Sequence, residues 1–150
     1  TWVPRDDPLF EGDVGRSPLW IGEWWVGALG RDDLEVHRGR PTETRWSRRL
    51  CFAGRGPGEV VRAQRKLVGV AQWRGREGVL SHSLAYAVAD WARTAELLRL
   101  GEEGQEAVRE LAAAATTLSE VGVEDEPGFA ERLLDRLPDP GSWERASPTG

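Results

Sequence analysis

The amino-acid sequence predicts an α+β (mixed α/β) fold, with a central, mostly antiparallel sheet followed by a helical C-terminal segment. Three observations predict it. Two β-prone runs, 66–74 and 79–88, flank a glycine-bearing turn and read as a hairpin. Upstream, Ile21, Trp24, Trp25, Ala28 and Leu29 recur at i, i+3, i+4, i+7 and i+8, one apolar face of a helix. After Asp90 the chain turns alanine-rich and helix-prone. Strands in the middle and helices at the end give the α+β order.

Each element has its own signal. Thr1-Trp2-Val3-Pro4 reads as the end of a strand, and Pro4-Arg5-Asp6-Asp7-Pro8 as a turn. The chain contains no methionine, so the front of the domain is expected to lie before Thr1. Ser17 is the expected N-cap of the tryptophan helix, Pro18 its first residue and Gly30 its stop. Helical spacing favours core packing for the tryptophans over a ligand platform. Residues 34–37, 50–53 and 59–61 read as short extended segments, with Gly54-Arg55-Gly56-Pro57-Gly58 as a loop. That loop lacks the Gly-Lys-Ser/Thr ending of a phosphate cradle and opens no helix. Asp90 caps a helix reaching Leu100, residues 105–118 form a second helix, and 127–137 a third, stopped by Pro138-Asp139-Pro140. The organisation expected is a catalytic-type unit over 1–100, a helical segment over 101–140 and a flexible tail over 141–150.

Bulk properties narrow the function. A net charge of −5 disfavours nonspecific nucleic-acid binding. No apolar stretch reaches the ~18 residues that span a membrane. The single cysteine, Cys51, excludes an internal disulfide and fits a reducing, cytoplasmic compartment. His37 and His82 have no metal-ligand spacing with acids or with Cys51, so no metal site is expected.

One residue stands out chemically. Of 20 basic residues, Lys66 is the only lysine. An ammonium is a compact point charge on a flexible stem, whereas a guanidinium is a broad fork, so a lysine retained among arginines marks either a place where arginine does not substitute or chance in a skewed composition. Simple alternation puts Lys66, Val68, Val70, Gln72 and Arg74 on one side of the strand and Leu67, Gly69, Ala71 and Trp73 on the other. Gly69 inside the strand fits a bulge or tight packing, or close approach by a ligand or other backbone. Cys51 reads as a small buried hydrophobe, or as a nucleophile if Lys66 faces it across adjacent strands.

The run Arg65-Lys66-Leu67-Val68-Gly69-Val70-Ala71-Gln72-Trp73-Arg74, with its turn and returning strand, resembles the lysine motif of the biotin/lipoate protein ligase family. The branch it looks most like is the lipoate–protein ligases of actinobacterial type. Asp6-Asp7-Pro8-Leu9-Phe10, Asp13-Val14 and the helix ending Ala28-Leu29-Gly30 are similar to the segment preceding that motif. The resemblance covers about residues 1–90 and implies the C-terminal part of a catalytic domain. It implies ATP-dependent activation of lipoate, with magnesium, to lipoyl-adenylate, and transfer to a lysine of a lipoyl domain in 2-oxoacid dehydrogenases or of the glycine cleavage H protein. On this resemblance Lys66 is catalytic, and Lys66, Gly69, Ala71 and Gln72 line the acyl-adenylate site. A rival within the superfamily is an octanoyltransferase. There a Cys-Phe pair precedes the lysine, as Cys51-Phe52 does here, and Cys51 would form a thioester. Two departures stand out: the family's arginine- and glycine-rich front segment is absent, and Leu80-Ser81-His82-Ser83-Leu84 replaces its Gln-His-Gly-Ser pattern. A non-catalytic relative or interaction module is the third expectation.

Overall fold

The computed structural model describes residues 1–123 and 128–138. It is an α+β fold, with five strands and four α-helices among the described residues. The strands are β1 (Trp2–Pro4), β2 (Glu35–Val36), β3 (Val60–Arg62), β4 (Arg65–Arg74) and β5 (Gly78–Ala85). They form one sheet in the order β1-β5-β4-β3-β2, with every neighbouring pair antiparallel. The helices are α1 (Leu19–Leu29), α2 (Trp91–Leu97), α3 (Gly104–Ala114) and α4 (Phe129–Asp135). Among the described residues, no helix is long and apolar enough to cross a membrane.

The hairpin expected from the sequence is there. β4 pairs with β5 from Val68↔Ala85 to Arg74↔Val79, and Gly75 N–H donates to the Gly78 carbonyl at 2.9 Å to close the turn. β3 and β4 are joined by the two residues Ala63 and Gln64, both at positive φ (47° and 68°). This is the turn whose twist suits a two-residue hairpin, but glycine or asparagine usually fills it.

Two apolar clusters lie on opposite faces of the sheet. On one face α1 lays Ile21 and Trp25 against Val60, Leu67 and Val68. Gly30 ends α1 in a left-handed conformation (φ 62°), with its N–H donating to the Val26 carbonyl. On the other face Trp46, Leu50, Phe52 and Ala53 pack with Leu100, Ala107, Leu111 and Ala115. α3 therefore shares a core with the segment that precedes β3, and covers only one end of its face.

Several boundaries differ from the sequence reading. Residues 51–53 form a 3-10 turn (Cys51–Ala53) and not a strand. Phe52 and Ala53 are both buried beneath α3, whereas a strand would turn one of them outward. Pro18, not Ser17, is the N-cap residue of α1; the Ser17 hydroxyl instead accepts from Gln72 Nε2 at 3.1 Å. Asp90 caps α2 by accepting from Arg93 N–H, but the helix stops at Leu97, since Arg99 takes a left-handed φ of 51°. α3 stops at Ala114 because Thr116 N–H turns to the Lys66 carbonyl, 2.8 Å away, and joins the sheet edge. Pro127 and the expected tail at 141–150 lie outside the described residues.

Candidate functional site

The site is organised by a β-bulge. Along β3 the partners Val61 and Val60 are one step apart, but their partners on β4, Lys66 and Val68, are two steps apart. Leu67 is the extra residue. Leu67 and Val68 are both fully buried in the α1 cluster, so two successive side chains point the same way. This corrects the face assignment made from alternation. Regular pleating separates Lys66 from Gly69, whereas the bulge resets the count and puts Lys66 on the face of Gly69, Ala71 and Trp73.

On that face the Lys66 ammonium is caged, with the side chain 2% exposed. It donates to the Cys51 carbonyl at 2.6 Å and lies 2.9 Å from each Glu59 carboxylate oxygen. The Phe52 ring covers it at 5.3 Å. Glu59 is itself buried and also accepts from Gly56 N–H at 2.7 Å and Val70 N–H at 3.4 Å. Two desolvated charges are tolerable only when paired and further hydrogen-bonded, and both conditions hold here.

Local sequence explains how the cage forms. The loop Gly54 to Gly58 returns the chain so that Glu59 enters the sheet edge facing Lys66, with Gly58 at φ 81° packed against Pro18. The 3-10 turn brings Cys51 and Phe52 over the start of β4. Phe52 is fixed from above by Tyr86 (4.9 Å between ring centroids) and Trp91 (6.4 Å). A Cβ built on Gly69 meets the Phe52 ring at 3.4 Å and Glu59 Oε1 at 3.8 Å, so Gly69 borders the cage directly.

The candidate residues divide. Lys66, Gly69 and the Cys51 main chain come together, and Ala71 follows Gly69 along the same open face. Gln72 does not join them. It lies on the α1 face, where its amide donates to Ser17 Oγ (3.1 Å) and Ser81 Oγ (3.0 Å), and its oxygen accepts from Arg74 (3.3 Å). Cys51 does not oppose Lys66 across adjacent strands, because only its carbonyl meets the ammonium. Its side chain is exposed and borders an apolar groove of about 460 Å³, walled by Phe52, Leu84, Tyr86, Trp91 and Leu97 among others. Glu59 was missed by sequence reasoning, although an acid opening a valine-rich extended run carries a signal: it needs a buried cation.

Beyond the cage the face is bare. Trp2, Leu80 and Trp73 lie on it from three adjacent strands, Trp73 being 64% exposed, and Leu84 leads into the groove. Among the described residues no group of three or more His, Cys, Asp or Glu side chains could hold a metal ion. No family model matches the chain, and no curated protein or solved structure matches it.

Proposed function

We propose that the chain is the lysine-bearing part of an acyl-activating enzyme similar to the lipoate–protein ligases. The observation that supports this reading is the bulge at Leu67, which brings the lone lysine to the face of Gly69, beneath Phe52, and of the exposed Ala71. An anionic acyl-phosphate ligand lying along that face has the ammonium at its end.

In such a reaction a lipoate carboxylate oxygen attacks the α-phosphorus of ATP and pyrophosphate leaves. The ε-amine of a lipoyl-domain lysine then attacks the acyl carbonyl, losing a proton, and AMP leaves. Lys66 would offset the negative charge that develops on the phosphate and carbonyl oxygens, a contribution on the order of 3–4 kcal/mol for one well-aimed donor. On this reading magnesium enters with the ATP phosphates as part of the substrate, and Glu59 stays engaged by Lys66.

A second reading, an octanoyltransferase with Cys51 as thioester nucleophile, is favoured by one observation. The Cys51 side chain is exposed at the wall of an apolar groove. The decisive assay is pyrophosphate release with ATP and lipoate, compared with transfer from octanoyl-carrier protein without ATP. Cys51→Ala is expected to keep the ATP-dependent activity within about threefold, since it is the main-chain carbonyl of Cys51 that bonds Lys66. Loss of all transfer in Cys51→Ala, with octanoyl-carrier protein as the donor, decides for the thioester enzyme.

A further inference from the structure

We infer that Glu59 is a positioning residue: its carboxylate keeps the Lys66 ammonium on the Gly69 face during turnover, and the Cys51 carbonyl is the partner that a ligand oxyanion replaces. The identity of that ligand rests on the acyl-activation reading, whereas the hold by Glu59 does not.

The cage leaves Lys66 no open approach. Its ammonium donates to the Cys51 carbonyl and to Glu59 Oε1, lies 2.9 Å from Glu59 Oε2 and sits beneath the Phe52 ring. An incoming anion must displace part of this cage. The Glu59 bond is ion-paired, buried and backed by two main-chain donors, so breaking it strands two charges away from water. The Cys51 bond is to a neutral acceptor on a single 3-10 turn whose own side chain is exposed. The weaker bond therefore yields. That turn also carries Phe52, which both covers the ammonium and borders Gly69. Exchange of the Cys51 carbonyl frees the lysine toward the Gly69 face, while Glu59, held by two main-chain N–H groups, stays.

The composition supplies a clean test. Lys66 is the only side-chain amine, so the stable amides that an acetylating N-hydroxysuccinimide ester leaves on the 150-residue chain after hydroxylamine treatment are at Lys66 and the Thr1 amine. Mass spectrometry on the 150-residue protein then gives the two rates separately. Lys66 is expected to lag Thr1 in the parent protein. In Glu59→Gln its rate relative to Thr1 is expected to rise about tenfold or more, and in Glu59→Asp by a smaller factor. A thermal transition verifies that each variant is folded, and Glu59→Asp carries the measurement if Glu59→Gln does not fold. Parent-like labelling of Lys66 in a folded variant overturns the inference.

The catalytic arm measures pyrophosphate release. Glu59→Gln is expected to lose about 100-fold in kcat with KM for ATP within about threefold, and Glu59→Asp to recover part of kcat. A rise in KM alone, or a fall in kcat no larger than the fall in folded fraction, overturns it. Absence of pyrophosphate release from a parent protein that carries the family's front segment overturns the acyl-activation reading and the exchange with it; faster labelling in Glu59→Gln would still support the hold.

Discussion

On the α1 face of the sheet, every β4 position from Val68 to Arg74 meets a partner. Val68 and Val70 pack into the α1 cluster, Gln72 bonds Ser17 and Ser81, and Arg74 donates to the Glu11 carbonyl at 2.6 Å. On the opposite face only the first part of the strand is covered. Lys66 and Gly69 lie under Phe52, and then Ala71 and Trp73 face outward. The same ten-residue strand thus has one finished side and one half-finished side. Stability resides mainly on the finished side, because that is where apolar area leaves water. The open side carries exposed tryptophan and leucine from three strands, the pattern of a surface that meets something else.

Substitutions paired across the sheet can break or sharpen that contrast. The largest difference is expected between two tryptophans. Trp25→Ala removes a buried ring from the α1 face and is expected to cost about 3–5 kcal/mol in denaturant unfolding. Trp73→Ala on the open face is expected to stay within about 0.5 kcal/mol. Comparable losses at both sites would mean that the open face is not open in solution.

Two glycines give a smaller contrast. A Cβ on Gly22, in α1, sits 2.8 Å from Val36 Cγ1 and closer still to the Gly58 carbonyl oxygen. Gly22→Ala is therefore expected to cost about 1–3 kcal/mol. On Gly69 the nearest atom is 3.4 Å away, an ordinary contact, so Gly69→Ala should leave stability within about 1 kcal/mol. If a ligand lies along β4, Gly69→Ala lowers pyrophosphate release nonetheless. Unchanged activity there would remove the strand backbone from the site.

The smallest effect lies at the turn between β3 and β4. Ala63→Gly relieves a left-handed residue of its Cβ and is expected to stabilise by roughly 0.5–1 kcal/mol, read as a rise in the denaturation midpoint.

What the sequence disclosed follows from periodicity. The hairpin, the tryptophan helix and the Asp90 cap each rest on a local pattern, and each is present within a few residues of its expected position. The bulge left no such pattern. Leu67-Val68 reads equally well as two alternating strand residues, and only pairing with β3 reveals that both turn to α1. The 3-10 turn at Cys51–Ala53 was hidden for a similar reason: four apolar residues in a row carry no period that separates strand from turn. The Glu59–Lys66 pair joins the residue just before β3 to one in β4, so it became visible only with the fold.

The bulge also bears on how such chains should be aligned. Lys66 and Gly69 share a face at an odd spacing of three because one residue between them is extra. A relative with Lys-x-Gly in an unbulged strand would present the same pair of groups to the same side. One with Lys-x-x-Gly and no bulge would not. An ungapped alignment ranks these two the wrong way round, so a one-residue gap beside this lysine can preserve the surface better than a perfect column match.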